Sequence, residues 1–334
     1  MSEFLLSTLS LIGLLTVASY AYILAQKIRI PYTVILFIIG VALVFAGNYI
    51  PFLHFLTHLE LSKEMVFYIF LPTLIFESAY NMHYKKILGD SKAIFALSVF
   101  GLLISTLIIG IVFKLALGLI GIDIPYFISF LFGAIISATD PVAVLSIFKE
   151  YGVPKRLSYL FEGESLINDG TAVALFLIIL EMTMSGVFGM DSVLMGVYTF
   201  TTMLVGGILY GLFAGFFFSK VLQYVRNNMW VEITITLIMA HTTFITAELI
   251  SEHFNLFQLS PIIATTVGAL VLGNYGKYKI SPKVEHMMDN FWGYFGFISN
   301  SLIFLLMGIL IARLDINFAS MILPIIIAIV VVAV

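Results

Sequence analysis

Five carboxylates of this sequence lie inside long apolar stretches. They are Glu77, Asp140, Glu164, Asp169 and Glu248. A carboxylate near the middle of a bilayer costs roughly 2.5–3.5 kcal/mol, so acids in such positions are functional candidates by default. Carboxylates held in this way can bind cations or carry protons, and their neighbours indicate which chemistry they serve.

The sequence Ser137-Ala-Thr139-Asp140-Pro141 predicts a break in a helix. Pro141 has no N–H, and its ring clashes with the carbonyl of Ser137, which costs about 3 kcal/mol in a helix interior. Asp140 is a good N-cap, and proline is favoured at the first position of a new helix. Such a break leaves carbonyls free, as in the discontinuous helices with which transporters bind ions. A simple proline kink is the alternative, although a kink needs no buried acid.

Two polar stripes follow in the next apolar stretch, FEGESLINDGTAVALF at 161–176. Residues four apart share a helix face, which pairs Glu164 with Asn168 and Ser165 with Asp169. Lipid cannot satisfy these groups, so this face must meet protein or water. Carboxylate, hydroxyl and amide oxygens suit hard cations such as Na⁺. A structural hydrogen-bond cluster between helices is the alternative.

A third carboxylate, Glu77, follows Pro72 in the apolar stretch LPTLIFESA at 71–79. Taken alone, Glu77 could be a helix-packing residue. Together with the two acidic stretches above, it is a candidate third carboxylate of one site.

Composition places these residues in an all-α polytopic membrane protein. The 334 residues are 61% hydrophobic and 10% charged, whereas soluble domains carry about 25% charged residues. The absence of cysteine excludes thiol catalysis and cysteine metal sites. No basic tract exists to bind nucleic acid.

About eleven apolar segments are long enough, or nearly so, to cross a bilayer roughly 30 Å thick. They are 4–25, 31–50, 64–80, 93–119, 126–148, 158–184, 192–222, 231–251, 259–274, 291–312 and 318–334. No polar linker divides them, so we expect residues 1–334 to form a single transmembrane domain. Trp230 and Trp292 lie at span edges, where interfacial anchors are expected.

Basic residues divide unequally between the two sides of these spans. Odd-numbered connections, counted with the adjoining ends of their spans, hold 13 of them and even-numbered ones hold 2. The first group is Lys27, Arg29, Lys85, Lys86, Lys92, Lys149, Lys155, Arg156, Lys220, Arg226, Lys277, Lys279 and Lys283; the second is Lys63 and Arg313. By the positive-inside rule the odd connections are cytoplasmic and the N-terminus lies outside. The absence of an Asn-x-Ser/Thr sequon fits a prokaryotic plasma membrane.

These motifs resemble those of the monovalent cation/proton antiporters, in the branch of the sodium/proton exchangers with an Asn-Asp pair. The resemblance rests on SATDPVAVL at 137–145 and FEGESLINDGTAVALF at 161–176, with LPTLIFESA at 71–79 and NSLIFLLMG at 300–308 in the expected order. It implies an inverted-repeat fold, often of thirteen spans with a discontinuous fifth, assembled as homodimers.

The resemblance also implies a role for each residue. Asp169, Ser165, Thr139 and Glu77 match the family's cation ligands, and Asp140 matches the acid that offsets the half-helix ends. The family's Asn-Asp pair matches Asn168 and Asp169, and this branch is associated with electroneutral exchange. Glu164 matches a glutamate that meets an arginine of a later span.

We therefore expect Na⁺ (or Li⁺) to be exchanged for H⁺ by alternating access, in the service of pH homeostasis and without a cofactor. A carboxylate in a partly dry site holds either a proton or a cation, so the two compete. K⁺/H⁺ exchange is the closest alternative. An intramembrane hydrolase lacks a nucleophile or metal motif beside the acids. A cation channel would favour rings from repeated subunits over one asymmetric cluster.

We further expect the domain to continue beyond Val334. The sequence stops inside an apolar run, where the last carbonyls would lack partners in hydrocarbon. Nothing after Pro141 repeats the helix-break pattern that an inverted repeat requires, and no intramembrane arginine faces Glu164. About two further spans are expected, and the 334 residues alone are not expected to transport.

Overall fold

The computed structural model describes residues 3–28, 30–50, 53, 55–56, 59, 61–139, 141, 144–145, 148, 151–186, 190–225, 228–254, 258–276, 282–314 and 318–333, and regular structure within them is helical. The main helices are α1 (Glu3–Ile28), α2 (Tyr32–Tyr49), α3 (63–80), α4 (Tyr84–Gly89), α5 (91–119), α6 (Tyr126–Ile136), α7 (Lys155–Ser185), α8 (Met190–Tyr224), α9 (Met229–His253), α10 (Pro261–Asn274), α11 (Pro282–Arg313) and α12 (Phe318–Ala333).

These helices follow the predicted apolar segments closely. Within the described residues, α1, α5, α7, α8, α9 and α11 are long and apolar enough to cross a membrane, and α2, α6, α10 and α12 contain shorter apolar stretches. The short helix α4 was not predicted, because its apolar side chains occupy a single face within a basic connection. The all-helical, membrane-spanning fold class is thus confirmed, while the count of eleven spans stays a prediction.

Helices α3 and α5 each contain one π-helical turn, Val66–Phe70 and Ala96–Gly101. In α5 the N–H of Leu102 donates to the carbonyls of Leu97 and Val99 and not to that of Ser98, which would be its partner in an α-helix. The Ser98 carbonyl accepts a 2.8 Å hydrogen bond from the hydroxyl of Thr171 in α7. The π-helical turn therefore leaves the Ser98 carbonyl available for a hydrogen bond that links α5 to α7.

The chain divides into two compact units, of which the first comprises Met1–Glu77 and His286–Ile316. Helices α1, α2 and α11 pack there around buried Leu14, Leu36 and Leu305. A Cβ atom on Gly40 would lie 2.3 Å from the carbonyl oxygen of Leu305, so only glycine lets α2 and α11 approach this closely.

Trp292 belongs to this first unit, and its predicted interfacial position is wrong. The side chain is 0% exposed, and its ring lies 4.2 Å from that of Phe76, centroid to centroid. Helix α11 begins at Pro282, well before the predicted start at 291. Trp292 consequently lies inside the helix rather than at its edge.

The second unit comprises Ser78–Glu285 and Asn317–Val334. Its tightest pair is α8 and α10, which meet at glycines spaced four apart along α8. A Cβ atom on Gly211 would lie 2.4 Å from the carbonyl oxygen of Ala264. The contacts follow the same order along both helices: Gly207 lies against Ile263, Gly211 against Val267 and Gly215 against Val271. The two helices therefore run parallel.

Candidate functional site

Helix α6 ends at Ile136, and the chain becomes helical again only after Pro141. Ser137 is the C-cap of α6, with φ −76° and ψ −12°, and residues 138–139 lie outside any helix. The N–H of Leu145 then donates to the carbonyl of Pro141 at 2.7 Å. The described residues thus contain a true interruption at the predicted position, rather than a kink in a continuous helix.

The carbonyls released by this interruption are bound by side chains of α7. The hydroxyl of Ser165 donates to the carbonyl of Thr139 at 2.8 Å. The amide of Asn168 donates to the carbonyl of Ser137 at 3.3 Å. In a continuous helix these carbonyls would accept bonds from backbone N–H groups. The polar face of α7 replaces those donors.

The same face carries a carboxylate, that of Glu164. It accepts hydrogen bonds from the hydroxyl of Thr139 at 3.0 and 3.2 Å and from the amide of Asn168 at 2.9 Å. The Asn168 amide also lies 3.2 Å from the Thr139 hydroxyl oxygen. We call Thr139, Glu164, Ser165 and Asn168 the break cluster. The hydrogen-bond network considered as an alternative is therefore present.

Asn168 and Asp169 point in different directions from α7. Asn168 is 1% exposed, and within the described residues its buried amide oxygen has no hydrogen-bond donor. The next residue, Asp169, is exposed. Ser165 lies one turn before Asp169, so these two residues share a face. Because the Ser165 hydroxyl is the donor in its hydrogen bond to the Thr139 carbonyl, the lone pairs of its oxygen remain available to a cation.

A sequence profile described as "Sodium/hydrogen exchanger, transmembrane" matches residues 14–334, nearly the whole chain. The protein belongs to this exchanger family. The predicted family and the predicted integral membrane location are therefore confirmed.

Curated relatives of this chain are named as antiporters, which are transporters rather than enzymes. The Na⁺/H⁺ antiporter NhaG of Bacillus atrophaeus is 36% identical over 298 residues, which cover 88% of this chain and 54% of NhaG. NhaH of Halobacillus aidingensis is 33% identical over 90% of this chain and 73% of its own. The chain thus spans about half the length of the first relative. The family's transported ions are substrates, and no cofactor is used.

A solved structure supports the fold. The sodium proton antiporter MjNhaP1 from Methanocaldococcus jannaschii, at pH 8, matches with a TM-score of 0.75 at 20% sequence identity. The match covers 99% of this chain and 77% of that one. An antiporter-type helical fold follows from this likeness.

Two further predicted site residues are Glu77, which belongs to the first unit, and Asp140. Glu77 is the last residue of the first unit, where it packs against Gly296: a Cβ atom there would lie 3.2 Å from Cγ of Glu77. Asp140 lies outside the described residues. The cation-binding role of Glu77 and the supporting role of Asp140 stay predictions.

The link between Thr171 and Ser98 was not predicted from the sequence. The Thr171 hydroxyl also lies 3.1 Å from the carbonyl of Asn168, so it braces the turn of α7 that carries the Asn168–Asp169 pair. Thr171 closes the polar run NDGT, which was a usable signal. The π turn that frees the Ser98 carbonyl leaves no pattern in an apolar sequence.

Proposed function

We propose that this protein exchanges Na⁺ (or Li⁺) for H⁺ across the membrane, with Asp169 as the carboxylate that binds either ion. The observation that carries the proposal is the end of α6 at Ile136, after which the carbonyls of Ser137 and Thr139 accept hydrogen bonds from the polar face of α7, the helix that carries Asp169. Membership of the exchanger family supports it. Asp169, Ser165, Thr139 and Glu77 form the proposed ligand set.

Each ligand has a distinct contribution in this proposal. Asp169 supplies the negative charge. Ser165 supplies the lone pairs of its hydroxyl oxygen, because its O–H group donates a hydrogen bond to the Thr139 carbonyl. The Thr139 hydroxyl donates to Glu164 and likewise keeps lone-pair capacity for a cation. Glu77 adds a second carboxylate. All are hard oxygen donors, as an alkali cation requires.

The supporting residues hold the backbone of the helix break in a single conformation. Pro141 prevents the helix from continuing, and Asp140 offsets the partial charges of the two half-helix ends. Asn168 ties Glu164 to the Ser137 carbonyl through its amide. Rigid positioning of this kind keeps ligands in place while a proton and a cation exchange.

Exchange is proposed to be electroneutral. Replacement of one proton by one Na⁺ leaves the charge at Asp169 unchanged. Asn168 occupies the adjacent position with an amide, which adds no titrating group. Its two N–H groups are engaged with Glu164, Thr139 and Ser137.

The wider architecture is part of the proposal. We propose eleven spans in this chain, a discontinuous fifth span within an inverted repeat, and alternating access by movement of one helix bundle against another. The protein would act as a homodimer in a prokaryotic plasma membrane. Its N-terminus would lie outside and its basic connections in the cytoplasm.

Ion flux in proteoliposomes tests the function. The full-length protein should drive Na⁺-dependent proton movement, and Asp169→Asn should abolish it because the exchangeable proton is lost. Glu181→Gln is the matched control, since Glu181 is an exposed acid on the same helix, three turns from Asp169. A K⁺ gradient in place of Na⁺ separates Na⁺/H⁺ from K⁺/H⁺ exchange. Near-normal flux in Asp169→Asn contradicts the assignment.

A further inference from the structure

A cavity of about 420 Å³ opens between α4, α8 and α10, away from the break cluster. Its walls are almost wholly apolar and include Leu212, Val267 and Leu270. Pockets of roughly 300–1,000 Å³ are the usual size for bound small molecules. The volume is therefore that of a ligand site rather than a packing defect.

The cavity has an apolar end and a polar end. Helices α8 and α10 run parallel, so Leu212 and Val267 mark one end of the cavity, and Asn274 and Tyr275 mark the other. At that second end the ring of Phe216 lies 5.4 Å from that of Tyr275, centroid to centroid. The walls therefore suit an amphipathic molecule whose polar group lies at the C-terminal ends of α8 and α10.

Asn274 closes the polar end without offering a free group to a ligand. Its amide donates to the carbonyls of Met82 and Leu270 at 2.7 and 2.8 Å. Its oxygen accepts from the N–H of Tyr84 at 3.2 Å, which holds the start of α4 against the end of α10. The cavity thus presents mainly apolar side chains.

Two lysines lie next to, or one helical turn from, residues that line the cavity. Lys220 follows Phe216 by four residues and therefore shares its face of α8. It stands at the level of Gly276, because a Cβ atom on Gly276 would lie 2.9 Å from Oγ of Ser219. Lys85 follows Tyr84, a lining residue, in α4. Both lysines are exposed.

The acid nearest in sequence to α4 is already paired. Asp90 follows α4 directly, and its carboxylate accepts hydrogen bonds from Arg156 at 2.5 and 3.1 Å. Lys85 and Lys220 have no ion pair among the described residues. An external anion is the partner that their charge fits.

We propose that this cavity binds one anionic phospholipid, with an acyl chain between α8 and α10 and the phosphate against Lys85 and Lys220. The apolar walls fit the acyl chain, and the lysines and tyrosines at the polar end lie where a headgroup would be. This lipid site is separate from the ion site and does not depend on the transport function.

Lipid binding to the delipidated, purified full-length protein tests the site. Phosphatidylglycerol and phosphatidylcholine with identical acyl chains are titrated, and bound lipid is counted by native mass spectrometry. Each lysine near an anionic headgroup contributes a factor of about 5 in affinity. Lys85→Gln with Lys220→Gln should therefore weaken phosphatidylglycerol binding about 25-fold and leave phosphatidylcholine binding unchanged. Lys155→Gln, an exposed lysine at the start of α7, is the matched control.

A second variant tests the cavity. Leu212→Trp fills the apolar end and should prevent retention of either lipid, with elution as a monodisperse peak showing that it has folded. Three results overturn the proposal: equal binding of the two lipids, equal losses in the double variant and Lys155→Gln, or full lipid retention by folded Leu212→Trp. Selective loss of phosphatidylglycerol in the double variant supports it.

Discussion

Asn168→Ala should destabilise the protein by releasing the break cluster. The Asn168 amide has two N–H groups and three acceptors, the Glu164 carboxylate at 2.9 Å, the Thr139 hydroxyl at 3.2 Å and the Ser137 carbonyl at 3.3 Å. A hydrogen bond to a charged group contributes about 1.5–3 kcal/mol and a neutral one about 0.5–1.5 kcal/mol. One bond of each kind gives about 2–4.5 kcal/mol.

Thermal unfolding of the purified protein measures this loss. For a chain of this size about 2 °C of Tm corresponds to 1 kcal/mol, so Asn168→Ala should lower Tm by about 4–9 °C. Asn290→Ala is the matched control, because Asn290 is exposed and its side chain lies against His286 on the same helix. A Tm change in Asn168→Ala no larger than that of the control would refute the role assigned to the amide.

Three further outcomes are expected. Gly211→Ala should lower Tm, because the new Cβ atom would lie 2.4 Å from the carbonyl oxygen of Ala264. Gly118→Ala is the control and should leave Tm unchanged or raise it slightly, because the space around Gly118 is open. Equal effects of the two substitutions would contradict the close packing of α8 and α10. The Arg156 guanidinium holds the pKa of Asp90 below its usual value, so the pair stabilises the folded state above the unfolded pKa, and this contribution is lost as pH falls through the folded pKa. Asp90→Asn should therefore lower Tm at pH 7 and have little effect in strong acid, and a Tm difference independent of pH would exclude the ion pair as its cause. Exchange should generate no current on a supported membrane, and Na⁺ uptake driven by a potential at equal pH would reject one-for-one exchange.

The helices and the helix break could be predicted from the sequence because both depend on local chemistry. Apolar length fixes where a chain can cross lipid, and Pro141 cannot continue a helix whatever surrounds it. The spacing of Glu164 and Asn168 likewise predicted their shared face, and the two do hydrogen-bond to each other.

Other features depend on tertiary packing and could not be predicted in this way. The π turn at Ala96–Gly101 depends on how α5 meets α7, and the burial of Trp292 depends on where α11 begins. The different environments of Asn168 and Asp169 also depend on which side of α7 meets the broken helix. Spacing alone placed both residues on one polar surface without saying which would be buried.

The apparent affinity for Na⁺ as a function of pH tests the central claim most directly. If the proton and Na⁺ compete for Asp169, the Kd should rise about tenfold for each unit of pH below the titration of the site, because bound protons must leave. Na⁺ binding should also release protons from the wild-type protein but not from Asp169→Asn. A Kd that stays constant across this pH range, or proton release that persists in Asp169→Asn, would contradict the claim.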